Sequence, residues 1–150
     1  MIFEASADEA ARVRQQRALA ERILDYVDPL RTGDRALLRA IYDRGMTASD
    51  FARAVGQRPR TVRRRVQRLL ERIGSDHFQF VLRQRQDWPS PRRRVAELVF
   101  LQGASQRQTA ASTGLSLHQI RQEIARIRFL IDHDLQRRGP TGALDAQHPH

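Results

Sequence analysis

The sequence predicts an all-α protein: two tandem units of three to four helices behind a long N-terminal helix. Three observations carry that expectation. Apolar residues recur at helical rather than alternating intervals, aromatics make up only 6%, and strand-type runs are scarce. Capping residues and glycines punctuate the chain at distances that suit short helices. The chain also repeats itself. A shift of fifty-eight residues lays Gly45 on Gly103, Ala52 on Ala110, Gly56 on Gly114, Val62 on Ile120, Arg63 on Arg121, Val66 on Ile124, Leu69 on Ile127 and Ile73 on Ile131, without a gap. At 150 residues the chain suffices for one ordinary domain or two very small ones, and the repeat favours two units sharing some core.

Taken in order, segment 1–33 opens with Ser6 and Glu9 at capping-box spacing. From Ala7 to about Val27 the residues Val13, Ala20, Ile23, Leu24 and Val27 recur on a charged background, predicting one amphipathic helix. It reads either as a packing helix for the first unit or, because its polar length exceeds what a small domain must cover, as a dimerisation helix. Asp28, Pro29 and Gly33 break it.

The first unit, 34–73, has Asp34 as expected N-cap, Gly45 as left-handed terminator, and Thr47 with Asp50 as a capping box opening a second helix. Met46 is placed to staple onto Phe51. Gly56 ends that helix, and Pro59 suits the first turn of a third, where its missing N–H costs nothing. On a helical wheel Val62, Val66, Leu69 and Ile73 fall within about 60°, a narrow buried stripe. Arg60, Arg63, Arg64, Gln67 and Arg68 point away from it.

Segment 74–90 is expected to be a linker. FQFVLR alternates enough for a strand, but at the repeat offset Ala20, Ile23, Leu24 and Leu30 fall on Phe78, Val81, Leu82 and Trp88, which favours a short helix over Asp76–Gln86. Trp88 then reads as a core plug between the units, with base stacking as the alternative. The second unit, 91–136, is introduced by Ser90 and Pro91, and Ser105 with Gln108 and Ser116 with Gln119 form capping boxes, Leu115 and Ile120 supplying a staple. Residues 137–150, rich in glycine and proline, are expected to be a disordered tail.

The net charge of +10 implies a polyanionic partner, nucleic acid before acidic membrane, because no stretch approaches the length and apolarity of a transmembrane helix. All 27 cationic residues are arginine. Arginine forks suit phosphate and guanine, and a GC-rich genome produces the same bias. The chain has no cysteine, which excludes disulfides and thiolate zinc sites and suits a reducing cytoplasm. Met1 to Ala11 lacks the pattern of a signal peptide. His148 and His150, and Asp132, His133 and Asp134, lack the arrangement of a metal site. There is no nucleophile with a base, no carboxylate pair and no glycine-rich phosphate loop, so neither an enzyme nor a cofactor is expected.

Helix, sharp turn, short helix, turn and exposed helix make each unit look like a helix-turn-helix. Both copies resemble region 4 of bacterial sigma factors and the related response-regulator output domains. The resemblance is closer in VAELVFLQGASQRQTAASTGLSLHQIRQEIARI. The first copy departs from the pattern at Gln57, where an apolar residue is usual, and is more basic. In that family the element reads promoter DNA in the major groove. The resemblance therefore implies DNA-facing roles for Arg60, Thr61, Arg63, Arg64 and Arg68, and for Leu117, His118, Gln119, Arg121, Gln122 and Arg126. It covers about eighty residues in two blocks. No aromatic, basic promoter-melting segment lies upstream, so a stand-alone initiation factor is not expected.

The expected function is sequence-specific binding of double-stranded DNA by a cytoplasmic, nucleoid-associated bacterial transcriptional regulator. Arg60, Arg63 and Arg64 are the expected base readers, and Arg53, Arg58, Arg68 and Arg72 the phosphate contacts. Two unlike recognition helices in one chain suggest a composite site with half-site centres about 10 base pairs apart, palindromic only if a homodimer forms through the N-terminal helix. The alternatives are an adaptor whose second copy binds RNA polymerase or another protein, and a non-specific nucleoid or transposon-end protein.

Overall fold

Helix is the only regular structure among the described residues of the computed structural model, which are 2–139, with side chains from residue 6 onward. In order they form α1 (Ile2–Leu24), α2 (Thr32–Tyr42), α3 (Ala48–Val55), α4 (Pro59–Ile73), α5 (Asp76–Gln84), a 3-10 turn (Arg85–Asp87), α6 (Ser90–Ala96) continued by a π-helical turn (Glu97–Leu101), α7 (Gln106–Thr113) and α8 (Leu117–Arg138). The all-α expectation is thus met. The chain divides into two compact units between Leu69 and Leu70, inside α4.

In the first unit the C-terminal turns of α1 pack on α2, and α2 packs on α3. Ile23, Val27, Leu30, Leu37, Leu38, Ala52, Val62 and Leu69 are buried. Each large aliphatic side chain removed from water contributes about 1.5–3 kcal/mol. Partial burial of Tyr42 raises its phenol pKa by desolvation.

Three expected boundaries shift here. α1 is already helical at Ile2, so Ser6 lies inside the helix and cannot cap it; α1 also stops at Leu24 rather than Val27. Helix α2 begins at Thr32, with Arg31 at the N-cap position making no side-chain cap. Asp34 is therefore not the cap but a buried first-turn residue. Its Oδ1 accepts from Arg65 Nε at 2.8 Å, with Arg65 Nη2 at 2.7 Å. A carboxylate near the positive end of a helix and facing a guanidinium gains more than one that only closes the first turn.

The second unit is larger than expected because the 74–90 segment belongs to its core rather than linking two cores. Ser75 caps α5 by accepting from Phe78 N at 3.2 Å, and buried Gln79 donates to the Ile73 carbonyl at 2.8 Å. Phe78, Phe80 and Val81 are buried, with α5 against the π-helical turn and α8. The helix closes at Gln84 rather than Gln86 and tightens to the 3-10 turn ahead of Pro89, which disfavours helical backbone before it. Trp88 is half-buried against Phe80 within this unit, ring centroids 6.0 Å apart.

Helix α8 is 22 residues long and runs to Arg138, past the expected end of the unit at residue 136. Asp134 meets Arg138 at 3.2 Å and Arg83 at 3.8 Å, so Arg137 and Arg138 are helical and the expected tail cannot start there. The remainder of that tail, with His148 and His150, lies outside the described residues.

The repeat read from the sequence extends to backbone hydrogen bonds. Met46 N donates to Ala40 O at 2.9 Å and Ala104 N to Leu98 O at 2.8 Å; Arg44 N donates to Arg39 O at 3.1 Å and Gln102 N to Glu97 O at 3.0 Å. It also holds for an ion pair with its charges exchanged. Where the first unit has Asp34 with Arg65, the second has Arg92 with Glu123, Nε to Oε2 3.1 Å. Asp34→Ala or Arg65→Ala should cost about 1–3 kcal/mol in urea unfolding. Asp34→Arg combined with Arg65→Glu, which copies the second unit's polarity, should recover most of that loss. Equal losses in the single and exchanged variants would mean the position is packing-controlled.

Candidate nucleic-acid interface

The surface presented by α4 and α8 is set by the turns that precede them. Thr47 accepts from Asp50 N at 3.0 Å and Asp50 Oδ2 from Thr47 N at 3.4 Å, fixing the start of α3; Ser105 with Gln108 does the same for α7 at 3.1 and 2.9 Å. Gly56 (φ 70°) and Gly114 (φ 74°) end those short helices in the left-handed conformation. α4 then starts at Pro59, and α8 on the Ser116–Gln119 box, 3.1 and 2.9 Å. All the capping boxes expected after Gly45 are formed.

Once each helix has started, its apolar stripe fixes its rotation. Val62, Leu69 and Ile73 are buried with Val66 half-buried, and Ile120, Ile124, Ile127 and Ile131 are buried throughout. Diametrically opposite lie Arg60, Arg64 and Arg68 on α4, at one-turn spacing of about 6 Å along the axis. All are exposed, and they make no side-chain hydrogen bond or ion pair among the described residues. Arg58 and Thr61 are exposed beside them. The sum is a strip of mutually repelling cations that pairs with no carboxylate among the described residues, a surface suited to a polyanion.

The arginines expected to act alike are not alike. Arg63 donates to Ser49 Oγ in the first turn of α3 at 3.3 Å, and its repeat partner Arg121 donates to Gln106 in the first turn of α7 at 3.1 Å. These two brace each exposed helix against the short one before it while remaining exposed themselves. Arg72, expected on phosphate, instead donates to the Leu101 carbonyl at 3.3 Å and lies where a Cβ on Gly103 would be.

On α8 the corresponding face carries less charge. His118 and Gln122 are exposed where α4 has Arg60 and Arg64. Leu117 is half-buried at the edge, the Gln119 carbonyl is held in the capping box, and Arg126 pairs with Glu123 at 3.0 Å, which also holds Arg92. Further along this face stands Phe129, 70% exposed, beside a groove of about 410 Å³ lined by Arg92, Ala125, Arg126, Phe129 and Leu130. Sequence reasoning missed it. The signal was there, since Phe129 occupies the outward position of the repeat where α4 has Glu71. Asp132, His133 and Asp134 do not converge on a site; Asp134 is committed to Arg83 and Arg138.

Among the described residues no helix is long and apolar enough to cross a membrane. No protein-family model, curated protein or solved structure matches the chain.

The left-handed glycines give a graded test of these turns. Gly56→Ala forces a side chain into the left-handed region with nothing within 4 Å of it, and should cost about 1–2 kcal/mol. Gly103→Ala adds to that strain a collision with the Arg72 guanidinium. Thermal or urea unfolding should rank Gly103→Ala clearly below Gly56→Ala; equal losses would mean that Arg72 swings aside freely.

Proposed function

We propose that the chain is a sequence-specific double-stranded DNA-binding protein, a transcriptional regulator whose α2–α3–α4 arrangement acts as a helix-turn-helix with α4 in the major groove. The observation that carries this reading is the alignment of Arg60, Arg64 and Arg68, exposed and unneutralised, on the face of α4 opposite its buried stripe. Near the start of a groove-bound helix, arginine reaches guanine O6 and N7 together; further along, it meets phosphate. Arg60 and Arg64 are assigned to base edges, and Arg58 and Arg68 to the backbone. Arg63, held by Ser49, would set the helix angle and reach DNA only at the edge of the contact.

Selection from random duplexes should return a preferred site; no preferred site would favour non-specific nucleoid or transposon-end binding. Arg64→Ala should then relax one base position by about 1–3 kcal/mol, and Arg68→Ala should weaken all sequences alike and lower the salt dependence by about one counterion. Uniform weakening by Arg64→Ala would remove direct readout from that residue.

A second reading for α8 is favoured by Phe129. A 70% exposed aromatic on the face that α4 fills with charge suits a protein contact better than phosphate, making α8 an adaptor surface toward RNA polymerase or another protein. In the full chain, Phe129→Ala should leave DNA affinity unchanged under this reading. His118→Ala with Gln122→Ala should then alter neither the footprint nor its sequence. A footprint of two unlike half-sites, the second changed by those substitutions, would assign α8 to DNA as well.

A further inference from the structure

Helix α1 is longer than its packing explains. From residue 6 to residue 19 every position is exposed except half-buried Ala11; its main neighbour is α2, and its burial is concentrated in the C-terminal turns, at Ala20, Arg22, Ile23 and Leu24. Some four turns of helix therefore lack a partner among the described residues, at a length where an isolated helix is marginal in water. They are not uniformly polar. Val13 and Leu19 are 48% and 41% exposed, and with Ala20, Leu24, Ile41 and Tyr42 they line a groove of about 670 Å³ between α1 and the end of α2.

The repeat indicates what such a surface requires. In the second unit the positions matching Leu19, Ala20 and Tyr42 are His77, Phe78 and Phe100. There His77 stacks on Phe100 with centroids 5.9 Å apart, Phe78 is fully buried, and Arg72 bonds the Leu101 carbonyl at the matching helix end. The equivalent surface is thus covered from within that unit. In the first unit α1 runs straight on, and the groove stays open.

We propose that a second copy of this chain closes it, the two α1 helices pairing antiparallel about an axis near Val13. The choice of occupant rests on charge. The acids Asp8 and Glu9 lie before that point and Arg14 and Arg17 after it, with Arg12 directly beside the axis. Antiparallel pairing sets Glu9 of each copy toward Arg17 of the other, whereas parallel pairing sets like charge on like. A self-complementary patch of this kind closes as a two-fold dimer and does not propagate. The apolar stripe of each helix then covers the groove of its partner.

The test uses the full chain without nucleic acid, so its outcome is independent of the DNA-binding reading. Sedimentation equilibrium should give twice the 17.3 kDa chain mass at high concentration, with a dissociation constant of about 1–100 µM for so small a patch. Val13→Asp should weaken association at least about tenfold by burying a charge. Glu9→Arg should also weaken it, and Glu9→Arg with Arg17→Glu should restore it. Because the chain has no cysteine, orientation can be read directly. Glu9→Cys mixed with Arg17→Cys should form a mixed disulfide, with little product from either alone. A monomer at every concentration, a dimer indifferent to Val13→Asp, or efficient cross-linking of Glu9→Cys to itself would overturn the proposal.

Discussion

The constraint on which both exposed helices depend is a stripe of aliphatic side chains three and four residues apart. Val62, Val66, Leu69 and Ile73 do this for α4, and Ile120, Ile124, Ile127 and Ile131 for α8. Burial of that stripe decides the rotation of each helix, and rotation decides everything about the surface. A helix turned by one residue, about 100°, would sink Arg63 and Gln67, or Arg121 and Arg128, into apolar packing, where an unpaired guanidinium or amide is costly. The left-handed glycines and capping boxes fix where each helix starts. Together, start and rotation place Arg60, Arg64 and Arg68 without any of them making a structural contact.

That separation divides the arginines into two populations. Arg65, Arg72, Arg92 and the brace pair Arg63 and Arg121 bond within the fold: to Asp34, to the Leu101 carbonyl, to Glu123, and to Ser49 and Gln106. Their work is to join helices that apolar burial alone would leave free to slide. Arg58, Arg60, Arg64 and Arg68 have no such duty, so their charge is available to whatever approaches. The formal charge of the chain therefore overstates the cationic surface of the second unit, where Glu123 holds both Arg92 and Arg126, and describes the first unit better.

Much of this was legible in the sequence because it is local. Capping boxes, glycine terminators and the i, i+4, i+7 stripe are written within a few residues, and the fifty-eight-residue repeat cross-checked them. What escaped was decided at long range. Asp34 had every local mark of an N-cap, but its partner Arg65 is thirty-one residues away and drew it into the first turn. A separation of twenty-nine residues hid the role of Arg72, and α5, expected as a short helix, is held in a core by contacts that no local pattern announces. Phe129 went unnoticed for a different reason: an apolar residue near the end of a helix reads as core until the repeat places it on the outward face.

The charge-exchanged ion pair gives the duplication a further consequence. Two units with the same helix order and interchangeable apolar stripes face a hazard: α2 can dock on α8, or α6 on α4, during folding or between chains. With Asp34–Arg65 in one unit and Arg92–Glu123 in the other, each wrong pairing sets like charges together, Asp34 against Glu123 or Arg92 against Arg65. Both positions are poorly solvated, so the repulsion is less screened than at an open surface. Identical ion pairs would have stabilised native and exchanged pairings equally. Opposite polarity keeps the stabilisation of each unit and removes it from the alternative, which is how a repeated fold can discriminate between its own halves when the aliphatic packing of each cannot.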